Sequence, residues 1–98
     1  MPQASKRAEY VARINRVMDY IDQNLSEPLT LEVLAREANL SPFHFHRIFH
    51  AMVGETMRQF VGRLRLERAA SRLLAEPDLP VTHVALDFGF SSPSTFAA

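Results

Sequence analysis

Phe43, His46, Arg47 and His50 recur at the i, i+3, i+4, i+7 spacing of one helix face. A face made only to meet water carries Lys and Glu. This one carries an aromatic ring, a guanidinium and two imidazoles. It is short, stiff and rich in donors, which suits pressing against a flat polar surface such as a nucleic-acid groove. The bland alternative is a packed helix whose outer residues do nothing, with Phe43 tucked under a loop, so the elements around the face have to decide.

The opposite face of the same stretch is apolar. Phe45, Ile48, Phe49 and Met52 repeat at the same helical spacing. Ser41 can cap the helix with its hydroxyl, and Pro42 falls at the first helical position, where a missing N–H costs nothing. Upstream, Thr30 is a good N-cap for a shorter helix whose inner face is Leu31, Leu34, Ala35 and Ala38. Asn39 follows, and Asn tolerates the left-handed conformation that ends helices. Two short helices joined by a tight turn, the second with a donor-rich outer face, describe a helix-turn-helix.

The remaining elements follow from periodicity. Glu9 to Asn24 reads as a helix with the stripe Ile14, Val17, Met18, Ile21 and Leu25, closed by Ser26-Glu27-Pro28. Gly54 stops the helix that begins at Ser41, and Thr56 caps a long one over Met57 to Ala75. Phe60, Val61 and Leu64, then Leu66, Ala69, Ala70, Leu73 and Leu74, cover more than one of its faces, so this helix is expected to serve two cores. A connector over 76–80 leads to a short helix holding Val81, Val84, Ala85 and Phe88, which Gly89 ends.

The chain repeats itself. Ala35 aligns with Ala85, Glu37 with Asp87, Asn39 with Gly89 and Leu40 with Phe90. With one extra residue, Ser91, the pair Ser41-Pro42 aligns with Ser92-Pro93 and Phe45 with Phe96. A small residue, a turn residue and a Ser-Pro start therefore recur in order. The expected fold is all-α and homeodomain-like: a first helix-turn-helix subdomain over 8–55, a linker helix over 56–75 and a second helix-turn-helix subdomain over 76–98. The second is expected to be incomplete, because the counterparts of Ile48, Phe49 and Met52 fall beyond Ala98.

Composition excludes several classes. The 98 residues suit one small domain or two very small units sharing a helix, and with no cysteine there is no disulfide scaffold and no thiolate zinc site. No apolar run is long enough to span a bilayer, and the polar N-terminus lacks a signal-peptide core. A cytoplasmic location is expected. The chain has zero formal net charge, but the charge is unevenly spread: residues 41–75 hold six Arg against two Glu, a net +4, with three His besides. Ten of the eleven basic residues are Arg, the type suited to paired contacts with phosphate and guanine. There is no Cys nucleophile and no Gly-rich phosphate loop, so no enzyme is expected. His46 and His50 have metal-ligand spacing, but no third ligand lies near in sequence. The reading that competes with DNA binding is a helical protein-interaction module in which Phe43 and the histidines dock in a partner's groove.

Taken together, Leu31-x-x-Leu34-Ala35, Ser41-x-x-x-Phe45-x-Arg47-x-Phe49, Arg65-Leu66-Glu67-Arg68-Ala69 and Val84-Ala85-x-x-x-Gly89-Phe90-Ser91-Ser92 resemble the DNA-binding domain of the AraC/XylS transcription regulators. The likeness runs from about Tyr10 onward. The stretch 41–49 looks like that of members whose DNA-binding domain precedes a small-molecule-binding domain, and no effector domain is expected in this sequence. The resemblance implies a bacterial regulator that sets two recognition helices in successive major grooves. Its partners would be double-stranded DNA and RNA polymerase, without membrane or cofactor. It places Phe43, His46 and Arg47, with Ser94 and Thr95 of the second helix, on base edges. Arg47 would read guanine, and Phe43 would touch an apolar group such as a thymine methyl. Ser41, His50, Arg63, Arg65 and Ser92 are the expected backbone contacts. The family commonly carries Arg where this chain has Ala98.

A histidine-bearing face predicts pH-dependent binding. Protonation of an imidazole adds positive charge, which strengthens binding beside phosphates. Affinity for DNA of any sequence is expected to rise from pH 8 to pH 5.5, and a flat titration of the folded protein across that range would contradict it.

Overall fold

Side-chain caps decide where the helices begin. The hydroxyl oxygens of Thr30, Ser41 and Thr56 accept from the backbone N–H groups of Val33, His44 and Gln59 at 3.2, 3.2 and 3.1 Å. Gln59 Oε1 accepts in turn from the N–H of Thr56 at 3.0 Å, which completes a capping box. Left-handed residues decide where two of the helices end. Asn39 has φ 58° and Gly54 φ 90°, and the N–H of Leu40 reaches back to the carbonyl of Ala35 at 3.0 Å.

The computed structural model describes residues 2–90. Five helices follow in order: α1 Pro2–Gln23, α2 Leu31–Ala38, α3 Pro42–Val53, α4 Met57–Ala75 and α5 Val81–Asp87. No strand occurs among the described residues. The chain is all-α, as its periodicity implies. The helix expected from Glu9 starts instead at Pro2. An apolar stripe that begins at Ile14 marks only the later turns of this helix. The residues between hold no breaker, and Pro2 suits a helix start.

α1, α2 and α3 pack on one another, and α3 and α5 both contact α4. The main core joins Ile14, Val17, Ile21 and Leu25 of α1 and its exit to Leu34, Ala35 and Ala38 of α2, Phe45 and Phe49 of α3, and Met57 and Val61 of α4. Ala35 is the small residue that lets α2 cross its neighbours closely. Met18, Ile48, Phe60 and Leu64 are only partly buried at the edge of this core, and Met52 is 41 % exposed.

The contact between α4 and α5 departs from expectation. Ala69, Val84 and Ala85 are buried, whereas Leu66 is 50 % and Leu74 85 % exposed. Ala70 is also exposed. The inner face of α4 there is set by the small Ala69, which brings the two backbones together and turns the larger leucines aside. Phe88 and Phe90 are partly buried, and Phe88 packs against the main core. The second recognition helix expected from Ser92 lies outside the described residues.

Ser41→Ala removes the cap that starts α3. It is expected to lower stability by about 1 kcal/mol, readable as a shift of the urea midpoint at unchanged slope. A variant as stable as the parent would show that Pro42 and the core alone fix the start of α3.

Candidate nucleic-acid interface

α3 divides cleanly into two faces. Phe45 and Phe49 are fully buried, which presses one side of the helix into the core. That fixes the other side outward. Phe43 is 73 % exposed, and His46, Arg47 and His50 are exposed along the same face. Phe43 is therefore not tucked under a loop. The Arg47 guanidinium carbon lies 5.9 Å from the centroid of the Phe43 ring one turn earlier. This cation–π contact costs Arg47 little of its donor capacity, since the edge of the guanidinium stays available. Ser41 uses a lone pair for the cap, which leaves its O–H able to donate outward.

His44 lies beside this face and meets α1. Its Nε2 is 3.4 Å from the Tyr10 hydroxyl, and the two rings sit edge to face with centroids 5.7 Å apart. The turn between α2 and α3 is held from α1 as well. Arg13 donates to the carbonyl of Asn39 at 2.9 Å and to that of Ala38 at 3.4 Å, while also pairing with Glu9. Its partners lie 25 and 26 residues away, and no local pattern marks such a contact.

The arginines of α4 behave differently from those expectations. Arg63 donates to Glu55 and Glu67, with ion-pair distances of 3.2 and 3.1 Å, and its guanidinium carbon lies 5.5 Å from the centre of the Phe60 ring. The hydrogen bond to Glu55, then that to Glu67, pushes its pKa above the ordinary arginine range. Arg68 pairs with Asp22, and Arg72 with Glu76. Arg65, expected to contact the phosphate backbone, is engaged instead by the connection between α1 and α2. Its Nε donates to the Leu25 carbonyl at 3.1 Å and its Nη2 to the Glu27 carbonyl at 2.8 Å. Burial pulls this guanidinium below its usual range. Much of the positive charge in residues 41–75 is thus neutralised or occupied, and the outward-facing α3 keeps Arg47.

Ser92, Ser94 and Thr95 lie outside the described residues. Among the described residues, no group of three or more His, Cys, Asp or Glu is placed to hold a metal ion, and no helix is long and apolar enough to cross a membrane.

A capped helix-turn-helix with one buried and one donor-rich face defines the class of this chain. Residues 34–98 match the family model described as a helix-turn-helix domain, and the chain belongs to the AraC-type helix-turn-helix family. It is 29 % identical over 91 residues to the multiple antibiotic resistance protein MarA of Escherichia coli, covering 93 % of this chain and 71 % of MarA. It is 37 % identical over 89 residues to the probable transcriptional regulator LumQ of Photobacterium leiognathi, covering 89 % of this chain but 36 % of LumQ. Among solved structures, an AraC-type transcriptional regulator from Chromobacterium violaceum superposes with a TM-score of 0.78 at 26 % identity, over 91 % of this chain and 79 % of that one. The DNA-binding domain of the global transcriptional factor AdpA, solved in complex with a target DNA, gives 0.74 at 32 % identity, over 82 % and 71 %.

Proposed function

We propose that this chain is a sequence-specific, DNA-binding transcription regulator that lays α3 in the major groove of double-stranded DNA. The observation that carries the reading is the outward face of α3. Phe43, His46 and Arg47 stand exposed on a helix whose other side is locked by Phe45 and Phe49, so the readers are presented on a rigid support. The AdpA domain, similar in fold and sequence, was solved with DNA. In our reading Arg47 makes paired hydrogen bonds to a guanine, Phe43 meets an apolar base edge, and His46 completes the base contacts. Ser41 and His50 take phosphates. Arg63 can join them in competition with Glu55 and Glu67.

The working division is a first reading unit over 8–55, the linker helix over 56–75 and a second unit over 76–98, with Ser92, Ser94 and Thr95 as the second unit's contacts. The chain acts by binding, without catalysis, in the cytoplasm, and RNA polymerase is the protein partner this role calls for.

Selection from a randomised duplex pool, followed by a salt titration on the winning site, tests the proposal. A recovered consensus is expected, with log affinity falling linearly against log salt at about 0.9 per neutralised phosphate. Binding that ignores both sequence and salt would favour a protein-docking role for the same face.

A further inference from the structure

Three segments far apart in sequence meet at one side chain. Arg65, near the middle of α4, sends its Nε to the Leu25 carbonyl and its Nη2 to the Glu27 carbonyl. Both carbonyls belong to the connection between α1 and α2, 40 and 38 residues away. Leu25 itself is buried in the first core, and its carbonyl takes this donor in a part-buried hydrogen bond. The third segment is the end of α5. Gly89 lies against the same spot with φ 87°. A methyl group there would stand 2.4 Å from the Leu25 carbonyl oxygen and 2.8 Å from Arg65 Nε. Both the turn and the close approach therefore require glycine. Next to it, Phe88 packs on the first core. The end of α5 thus rests on a surface made by Arg65 and the carbonyl it holds.

We propose that Arg65 is a positioning residue that locks the second DNA-reading unit to the first, and so sets the spacing at which one molecule reads two segments of a duplex. The inference rests on the DNA-binding reading above. A long helix alone fixes the distance between two units but leaves their rotation to side-chain packing. The α4–α5 contact is small, with Ala69, Val84 and Ala85 as its buried residues. A planar guanidinium with two donors engaged on neighbouring carbonyls resists rotation in a way that apolar contact does not. Gly89, seated on it, carries that constraint to Phe90. Two rigidly joined readers gain from a high effective concentration on correctly spaced DNA, and lose that gain when the joint loosens.

The test has a DNA-free arm and a DNA arm. The chain has no cysteine, so Asp19→Cys on α1 and Thr82→Cys on α5, both exposed positions, accept a pair of spin labels. The parent should give one narrow distance distribution. Arg65→Met, which keeps the stem and removes the donors, should broaden it, and Gly89→Ala should shift it with Arg65 intact. In the DNA arm, half-sites are placed about 10 base pairs apart, one helical turn, and then moved by insertions. The parent should prefer one spacing. Arg65→Met should lose roughly tenfold to a hundredfold at that spacing, tolerate the insertions, and bind an isolated half-site as before.

Arg65→Lys keeps the charge, but a single ammonium cannot reproduce the two-donor fork, so it should resemble Arg65→Met. A phosphate-contacting Arg65 would instead be rescued by Lys and would lose single half-site binding in Arg65→Met. That result overturns the proposal, as does a narrow, unmoved distance in folded Arg65→Met. If Arg65→Met does not fold, Arg65→Lys and Gly89→Ala decide the question by the same distances. A parent that binds no DNA defeats the DNA reading, and the distance arm still decides whether Arg65 locks the two units.

Discussion

Phe49→Ala is expected to cost about 3–5 kcal/mol of stability, the usual price of removing a buried phenyl ring from a core. Phe49 is fully buried. Its ring centre lies 5.6 Å from that of Phe45 on the same helix and 5.8 Å from that of Phe60 on α4, the latter edge to face. It is thus the ring through which α3 is fastened to the linker helix, and losing it also removes two aromatic pairs. A domain of this size has about 5–15 kcal/mol in all, so the variant should be largely unfolded at 37 °C or close to it. Urea denaturation followed by circular dichroism measures the loss. Phe43→Ala is the control from the opposite face of the helix. Phe43 is 73 % exposed, and its removal should stay within about 0.5 kcal/mol. Equal losses in the two variants would mean that the division of α3 into a core face and a reading face is wrong.

That division was legible in the sequence because it is local. Caps, turn residues and helical spacing all act within a few residues, so Thr30, Asn39, Ser41, Gly54 and Thr56 announce their roles in the linear chain. The ion pair between Arg63 and Glu67, four residues apart, is of the same kind. What stayed hidden is long-range. Arg65 has the chemistry of a phosphate contact, and only the folded position of Leu25 and Glu27 shows that its donors are engaged. Arg13 reads as a solvated residue until α2 ends beside it. Arg68 finds Asp22 across 46 residues. Charge counting therefore overstated the positive surface of residues 41–75, since it cannot see which guanidinia are already paired. Leu66 and Leu74 failed for a related reason. Hydrophobic spacing names the faces a helix could bury, while the small Ala69 decides which face α5 actually covers. The start of α1 is not marked in the sequence, because the apolar stripe that signals this helix begins only at Ile14.

Arg47→Ala should leave the fold intact and remove discrimination at one base pair of the recognised site. The side chain is exposed and stacks on the exposed Phe43 ring, so stability should move by no more than about 0.5 kcal/mol. On DNA the expectation is different. A guanidinium paired to a guanine edge is worth about 1–3 kcal/mol against the wrong base, and each 1.4 kcal/mol is about tenfold in affinity. The parent should therefore lose affinity by that amount when the guanine is replaced, and Arg47→Ala should bind both duplexes alike. Loss of the cation also frees the Phe43 ring from its stacked partner, so preference at the neighbouring base pair should weaken as well. Arg47→Lys separates charge from geometry. Lysine restores the positive charge without the planar fork, so it should recover part of the overall affinity and less of the selectivity. Competition binding against a panel of single-base variants gives all three profiles. If Arg47→Ala keeps the parent's preference at every position, Arg47 is not a base reader, and specificity would have to come from Phe43, His46 and the second unit.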